Sequence, residues 1–198
     1  AGTNETILIV DGFDRIDGSF PFPYHEFSKT MGNALEPWGY AFESADNDAV
    51  ISGAVDLTNY DAVFWNLGDE STADETFNNV EQNFVKIYLQ QGGNLFISGS
   101  EIAWDLDNLG STTDRDFIHN YLKVSYDQDD AGSYEVHGQS NTVFENLVLN
   151  YDNGNYGVYE ENYPDAFSTT GGGAVALRYE NNLTAAVHFS GVAPGGSE

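Results

Sequence analysis

The stretch "GGNLFISGSEIAWDLDNLG" (residues 92–110) determines the kind of fold that this chain adopts. Two glycines end the preceding segment, "NLFIS" (94–98) is a short apolar run typical of a strand, and "SGSE" (98–101) turns the chain toward a helix. Hydrolytic enzymes of the α/β class carry their nucleophile at such a turn. The stretch therefore predicts an α/β fold and makes Ser100 a candidate nucleophile.

The residues before this stretch alternate between strand and helix patterns. Short apolar runs predict strands at 6–10, 40–44, 61–68 and 94–98. Helical spacing of apolar residues predicts helices over 24–35 and 71–91. This alternation indicates a parallel sheet covered by helices on both faces.

The helix over 71–91 is predicted in most detail. Ser71 or Thr72 caps its start. Its inward face is formed by apolar residues at helical spacing: Phe77, Val80, Phe84 and Tyr88 or Ile87. Two shorter helices are expected, one beginning near Glu101 and one over 112–124.

The second half has a different texture. From about residue 124, short alternating runs are separated by Gly, Asn and Asp turns, which predicts strands and long loops. Residues 174–191 indicate a hairpin that turns at 180–182. Because no repeat or linker interrupts the chain, we expect residues 1–198 to form a single domain.

The composition excludes several functions. There are 32 acidic and 6 basic residues, a formal net charge of -26, so nucleic acid and anionic membranes are excluded as partners. The acidity indicates either a solubility device or a role for cations. No apolar run is long enough for a membrane span. The chain has no cysteine, which excludes disulfides, thiolate catalysis and cysteine-bound zinc. These features fit an extracellular, periplasmic or cell-surface protein.

Polar residues follow the predicted strands at the positions where open parallel sheets bind ligands. The ligand-binding candidates are Asp11, Asp14, Arg15, Asn66, Asp69, Glu70 and Trp104. Arg15 has two interpretations, because it either recognises a carboxylate of a ligand or holds its own loop by an ion pair.

The catalytic candidates are Ser100, Glu101 and His188. A serine nucleophile needs a base such as His188, which lies in a late strand. The full G-x-S-x-G motif is absent, and Ser100 also suits the cap of the next helix. A carboxylate mechanism is the alternative, with Glu101 and Asp11 or Asp69 in acid and base roles.

Oxygen-rich loops make calcium the one expected cofactor, and no organic cofactor is expected. The metal-ligand candidates are Asp105, Asp107, Asp127 and Asp129. Aromatic residues in loop-like segments are able to stack on sugar rings or to pack on the loops themselves. They are Phe20, Phe22, Tyr24, Tyr151, Tyr156, Tyr159 and Tyr163.

Three segments carry a resemblance to a known family: "ILIVDGFDR" (7–15), "GGNLFISGSEIAWDLD" (92–107) and "AAVHFSG" (185–191). They resemble the class I glutamine amidotransferase-like domains of secreted bacterial proteins, such as xanthan-lyase-like and golvesin-type proteins. The resemblance implies a flavodoxin-like three-layer sandwich with a mostly parallel central sheet and a strand- and loop-rich second half. In the family a cysteine occupies the turn. Here Ser100 takes that place in one register and Glu101 in the next.

The resemblance implies an accessory, non-catalytic domain, cut from a longer secreted protein that acts on polysaccharide or peptidoglycan. Its partners would be such a glycan or other domains of the same polypeptide. Two alternatives stay open. One is a hydrolase that uses Ser100 or Glu101, and the other is a calcium-stabilised adhesion or structural domain.

Overall fold

The computed structural model describes residues 5–16, 26–70, 73–150 and 161–196. The chain divides into two compact units, Ala1–Gly99 with Val192–Glu198, and Ser100–Gly191. Each unit is described here by itself. The expectation that residues 1–198 form one domain stays a prediction.

The first unit contains a four-stranded parallel sheet. Its strands are β1 (Thr6–Asp11), β2 (Ala41–Asp46), β3 (Ala62–Gly68) and β4 (Asn94–Gly99). Their order across the sheet is β2-β1-β3-β4, and every neighbouring pair is parallel. The four predicted strands and their parallel arrangement are therefore confirmed.

Three helices accompany this sheet: α1 (Phe27–Leu35), α2 (Asn47–Ile51) and α3 (Asn79–Gln90). Short 3₁₀ turns occupy Glu36–Trp38 and Leu57–Asn59. On the α1 side, Gly32 lies against the ring of Phe42. On the opposite face, Phe77 packs against Trp65 with ring centroids 5.0 Å apart. Helix α1 and the segment leading into α3 thus lie on opposite faces.

Helix α3 begins later than predicted. Its N-cap is Asn78, not Ser71 or Thr72, which lie outside the described residues. The Asn78 side chain accepts hydrogen bonds from the amides of Val80 and Glu81, and the Glu81 carboxylate accepts one from the Asn78 amide at 2.7 Å. This reciprocal capping box satisfies helix-terminal donors that Ser71 or Thr72 would have left unpaired.

The inward face of α3 also differs from the prediction. Val80 and Ile87 are exposed, while Val85 and Tyr88 are buried together with Glu81 and Gln82. Because the capping box turns Glu81 inward, the buried stripe of the helix is rotated away from Val80.

Strands β1 and β3 form the centre of the first core. Ile9, Val10, Val63, Trp65 and Leu67 have no exposed surface. Burying one side chain of this size contributes about 1.5–3 kcal/mol. The continuous apolar sequence of β1 and β3 is thus explained by burial on both faces of the sheet.

The second unit contains a helical region followed by an antiparallel sheet. A wide π-helical turn (Trp104–Leu109) precedes α4 (Thr112–Phe117), and a second wide turn follows (Ile118–Leu122). The sheet consists of β5 (Val124–Gln128), β6 (Glu135–Gly138), β7 (Val148–Asn150), β8 (Ala166–Thr169), β9 (Ala174–Tyr179) and β10 (Thr184–His188). Their order is β5-β8-β10-β9-β6-β7.

The late strands were predicted, but the sheet they form was not. We expected one mostly parallel central sheet, and that expectation holds only for β1–β4. The pairs of the second sheet are antiparallel because hairpin turns connect neighbouring strands, as at β9 and β10 around residues 180–182. This sheet has its own small core, centred on Val136 and Tyr179.

None of the helices in the described ranges is both long enough and apolar enough to cross a bilayer.

Candidate functional site

The carboxyl edge of the parallel sheet carries the polar residues predicted for ligand binding. The strand order places β1 and β3 side by side, and the chain leaves them toward opposite faces of the sheet. Such a switch point opens a crevice between the two strand ends. Asp11 on β1 is in register with Asn66 on β3, at the mouth of this crevice.

Two contacts connect the loops that follow β1 and β3. The Arg15 guanidinium lies 3.5 Å from a carboxylate oxygen of Asp69 and donates to the Asp69 carbonyl at 3.3 Å. The amide of Asp14 donates to the carboxylate of buried Glu70 at 2.6 Å. Of the two interpretations of Arg15, the ion pair that holds its own loop is the one observed.

A buried amide links two further acids of this unit. The Asn47 side-chain nitrogen donates to Asp14 at 2.8 Å and to Glu81 at 2.9 Å. Burial raises the pKa of Glu81 to about 7, and it also raises the pKa of Asp14. Sequence analysis missed Asn47 and Glu81. The pairing of Asn78 with Glu81, three residues later, was the signal that could have identified Glu81 as a capping residue.

Asp11 is the acid most closely placed at the mouth of the crevice. Burial raises the pKa of its carboxyl to about 6, and the charges of Asp46 and Asp14 add to the effect. The amide of Phe13 donates to it at 3.4 Å, a long hydrogen bond. Asp11 therefore takes up a proton near neutral pH far more readily than an exposed aspartate.

In the second unit, Glu101 occupies the strained position of the turn after β4. Its φ is +64°, a left-handed conformation that is rare for a residue with a β-carbon. Ser100, the predicted nucleophile, is only 8% exposed. Of the two registers considered for the turn, this backbone geometry corresponds to the one with Glu101 at its apex.

Asp165 joins this turn although sequence analysis did not select it. Its carboxylate accepts a hydrogen bond from the Trp104 amide at 3.1 Å and another from the Ala103 amide. Burial is the largest cause that raises its pKa to about 7, and the nearby charge of Glu101 raises it further. Asp165 directly precedes β8, far from the turn in sequence, so no local pattern identifies it.

Two aromatic side chains lie beside these acids. Trp104 and Tyr126 meet edge to face with ring centroids 5.6 Å apart. Burial raises the pKa of Tyr126, and the charges of Asp129, Asp165 and Glu101 contribute. The predicted ligand residue Trp104 is therefore part of a group of aromatic and acidic side chains. Of the loop aromatics, Tyr163 is exposed and the others lie outside the described residues.

His188 lies at the end of β10, half-buried and opposite Ala174 on β9. Its side chain forms no hydrogen bond or ion pair with any described residue. The histidine that does face an acid is His119, whose Nε2 is 2.9 Å from Asp107. The orientation does not suit a hydrogen bond, so this contact is one of charge alone.

Asp107, a predicted metal ligand, is occupied by protein groups. Its carboxylate accepts from the Tyr126 amide at 2.8 Å and lies 3.7 Å from the Arg115 guanidinium, in addition to His119. Within the described ranges no three His, Asp or Glu side chains are arranged to hold a metal ion. The roles predicted for Asp105, Asp127 and Asp129, and calcium itself, stay predictions.

Comparison with known proteins adds one finding. No protein-family model matches the sequence, and no curated protein matches it. A solved structure that is similar belongs to a protein from Thermoplasma acidophilum assigned to GMP synthase, as its glutamine amidotransferase-like component. The TM-score is 0.54 at 15% identity, over 95% of this chain and 79% of that chain. At this identity the similarity concerns the fold alone, which resembles that of a glutamine amidotransferase.

Proposed function

We propose that this chain is an accessory amidotransferase-like domain that binds a ligand or a partner domain and does not hydrolyse glutamine. The observation that carries the proposal is the turn after β4, where a carboxylate, Glu101, holds the left-handed position. The overall similarity to a glutamine amidotransferase-like protein supports the same fold with different chemistry.

The groups around the turn argue against a nucleophilic reaction. The chain has no cysteine, and Ser100 is nearly buried. Amides at the start of the following helical turn, which elsewhere stabilise an anion, already bind the carboxylate of Asp165. The charge of Glu101 lies close by, so a developing oxyanion would be repelled instead of stabilised.

The setting of the domain belongs to the same proposal. We place it outside the cytoplasm, in an extracellular, periplasmic or cell-surface protein that acts on polysaccharide or peptidoglycan. Residues 1–198 would be one domain there, beside other domains of the polypeptide. The absence of cysteine and the net charge of -26 support this setting, since such acidity keeps an exported protein soluble.

Hydrolysis assays test the proposal directly. Ammonia release from glutamine and cleavage of p-nitrophenyl acetate are measured for the wild type, Ser100→Ala and Ser140→Ala, whose serine lies in an exposed turn. We expect all three proteins to match the buffer background. Turnover that disappears in Ser100→Ala and persists in Ser140→Ala would refute the proposal. Cosedimentation with purified peptidoglycan sacculi tests the binding role.

A second candidate function is favoured by Asp165 beside Glu101. A buried acid with a pKa of about 7 next to an ionised carboxylate is the arrangement of a general acid and a general base. In a hydrolase of this kind Asp165 would protonate the leaving oxygen while Glu101 activates water. The test is cleavage of aryl glycosides between pH 5 and 8. Activity with a bell-shaped pH profile, lost in both Glu101→Gln and Asp165→Asn, would establish this function.

A further inference from the structure

Four polar side chains stand side by side at the carboxyl edge of the parallel sheet. Asp11 is in register with Asp46 on one side and with Asn66 on the other, and Asn66 is in register with Ser98. In-register residues of parallel strands share a face, and neighbouring strands are about 4.8 Å apart. We call these residues, one from each strand, the polar row.

Asn66 is the member of the polar row whose amide nitrogen has no acceptor among the described residues. The residue is 7% exposed, and its side-chain nitrogen Nδ2 is buried. The Ser98 hydroxyl donates to Asn66 Oδ1 at 3.3 Å, which turns the oxygen toward β4. The amide is planar, so Nδ2 faces the β1 side, where Asp11 stands. A buried donor without an acceptor costs about 1–3 kcal/mol and requires an explanation.

The two acids of the row offer acceptors on the same face. Asp46 is exposed, and its Oδ1 caps α2 by accepting from the Asp48 amide at 2.9 Å. Asp11 is half-buried and receives the long hydrogen bond from Phe13. The polar row thus presents one donor that no described residue satisfies, between a hydroxyl and two carboxyl groups.

This juxtaposition selects among ligand classes. An anion would be repelled by Asp11 and Asp46 and by the net charge of -26. A cation would face the Asn66 amino group, which carries no lone pair to offer. A hydroxyl group accepts from Nδ2 and donates to a carboxylate at the same time, and adjacent hydroxyls repeat this pattern along the row.

We propose that the polar row at the switch point between β1 and β3 binds adjacent hydroxyl groups of a neutral saccharide. The inference rests on the ligand-binding role proposed above and assigns it a place and a ligand class. Asn66 donates to a sugar oxygen, and Asp11 and Asp46 accept from sugar hydroxyls. Ser98 is a positioning residue, since it fixes the orientation of the Asn66 amide.

Isothermal titration of the 198-residue chain with cellotetraose and with chitotetraose tests the inference. The variants are Asn66→Leu, which removes the donor at similar volume, and Ser98→Ala, which releases the amide. The exposed residues Asn79 and Ser52 provide matched controls, Asn79→Leu and Ser52→Ala. We expect Asn66→Leu to weaken binding about tenfold, the equivalent of one hydrogen bond. Ser98→Ala should weaken it less, and the controls should bind as the wild type does.

The melting temperature supplies a readout that a purely structural role would move the other way. If Nδ2 awaits a ligand, Asn66→Leu leaves the melting temperature unchanged or raises it, because an unpaired buried donor is removed. A lower melting temperature with unchanged binding would overturn the inference and assign Asn66 to the architecture of the sheet. Ser98→Ala keeps the test valid if Asn66→Leu does not fold.

The remaining outcomes separate this inference from the proposed function. Equal binding by wild type, Asn66→Leu and Ser98→Ala would overturn the polar row as the site while a binding function stands. Absence of binding to either tetrasaccharide would overturn the ligand class, whereas the hydrolysis assays decide the proposed function independently. Binding of calcium chloride that is lost in Asp46→Asn, which keeps a capping side chain, would replace the saccharide by a cation.

Discussion

Glu101 carries the largest local cost at the residue scale. A left-handed conformation costs a residue with a β-carbon about 1–2 kcal/mol, and here the side chain is an acid close to a second acid, Asp165. A glycine would relieve both costs. Strain retained at such a position points to a use for the side chain, which is why the turn stands at the centre of the proposed function.

Replacing Glu101 tests its electrostatic link with Asp165. In Glu101→Gln we expect the pKa of Asp165 to fall from about 7, because one neighbouring negative charge is removed. It should stay above the ordinary value of 3.8, since burial is the larger cause. Carboxyl carbon NMR during a pH titration measures the change.

The matched control is Glu180→Gln, a charge removal at an exposed position of the same unit. The Asp165 titration should be the same in this variant as in the wild type. An unchanged Asp165 titration in Glu101→Gln would show that the two carboxyl groups do not interact.

At the scale of elements, α3 shows how one cap fixes the placement of a helix. The Asn78–Glu81 capping box sets the first residue of α3 and rotates its buried stripe. The Glu81 carboxylate also accepts from Asn47, the residue that begins α2. The cap therefore ties two helices of the first unit together.

We expect Asn78→Ala to destabilise the protein by about 1 kcal/mol, the usual cost of losing an N-cap. For a chain of this size that corresponds to a fall of about 2–4 °C in the melting temperature. Differential scanning calorimetry gives the value. Asn79→Ala, one residue into the same helix and exposed, is the control and should change stability by less than half as much. Equal effects of the two substitutions would contradict the assignment of Asn78 as the cap.

At the scale of the whole molecule, the buried acids determine how stability depends on pH. The pKa is raised to about 6 for Asp11 and to about 7 for Glu81 and Asp165. Between the unfolded value near 4 and these folded values, the native chain binds more protons than the unfolded chain. Stability therefore falls as pH rises through this window.

We expect the melting temperature to be highest near pH 5 and to decrease toward pH 8. Each pKa unit of displacement corresponds to about 1.4 kcal/mol. Glu81→Gln preserves the capping box, since glutamine also serves at that position, and should make the decrease shallower. Thermal melts at matched ionic strength measure both proteins. A melting temperature that rises steadily from pH 5 to pH 8 would refute this account.

The excess of negative charge gives a prediction about salt. With a net charge of -26 the folded chain repels itself, and sodium chloride screens that repulsion, so the melting temperature should rise between 0.01 M and 1 M salt. Calcium chloride at 1 mM should add nothing beyond sodium chloride of equal ionic strength if screening is the whole effect. A larger rise with calcium would favour the calcium-stabilised alternative, as mass action requires.

The candidate site was predictable where residues directly follow a strand. Asp11, Asp14, Arg15 and Asn66 could be selected because parallel strands bring their carboxyl ends to one edge. Asn47 and Asp165 could not be selected, since each reaches its partner from a distant segment. The choice between Ser100 and Glu101 depended on a backbone angle, and the sequence motif alone was compatible with either register.

What the sequence by itself determined is the parallel sheet of the first unit. Continuous apolar runs such as 6–10 and 61–68 are stable only when buried on both faces, and the helices between them enforce parallel order. The tertiary structure decided what lies beyond local pattern. It separated the second half into its own antiparallel sheet, chose Asn78 over Ser71 or Thr72 as the cap, and brought Asp165 to Glu101. Period and capping signals act within a few residues, whereas sheet partners and buried charges are selected by contacts between segments far apart in the chain.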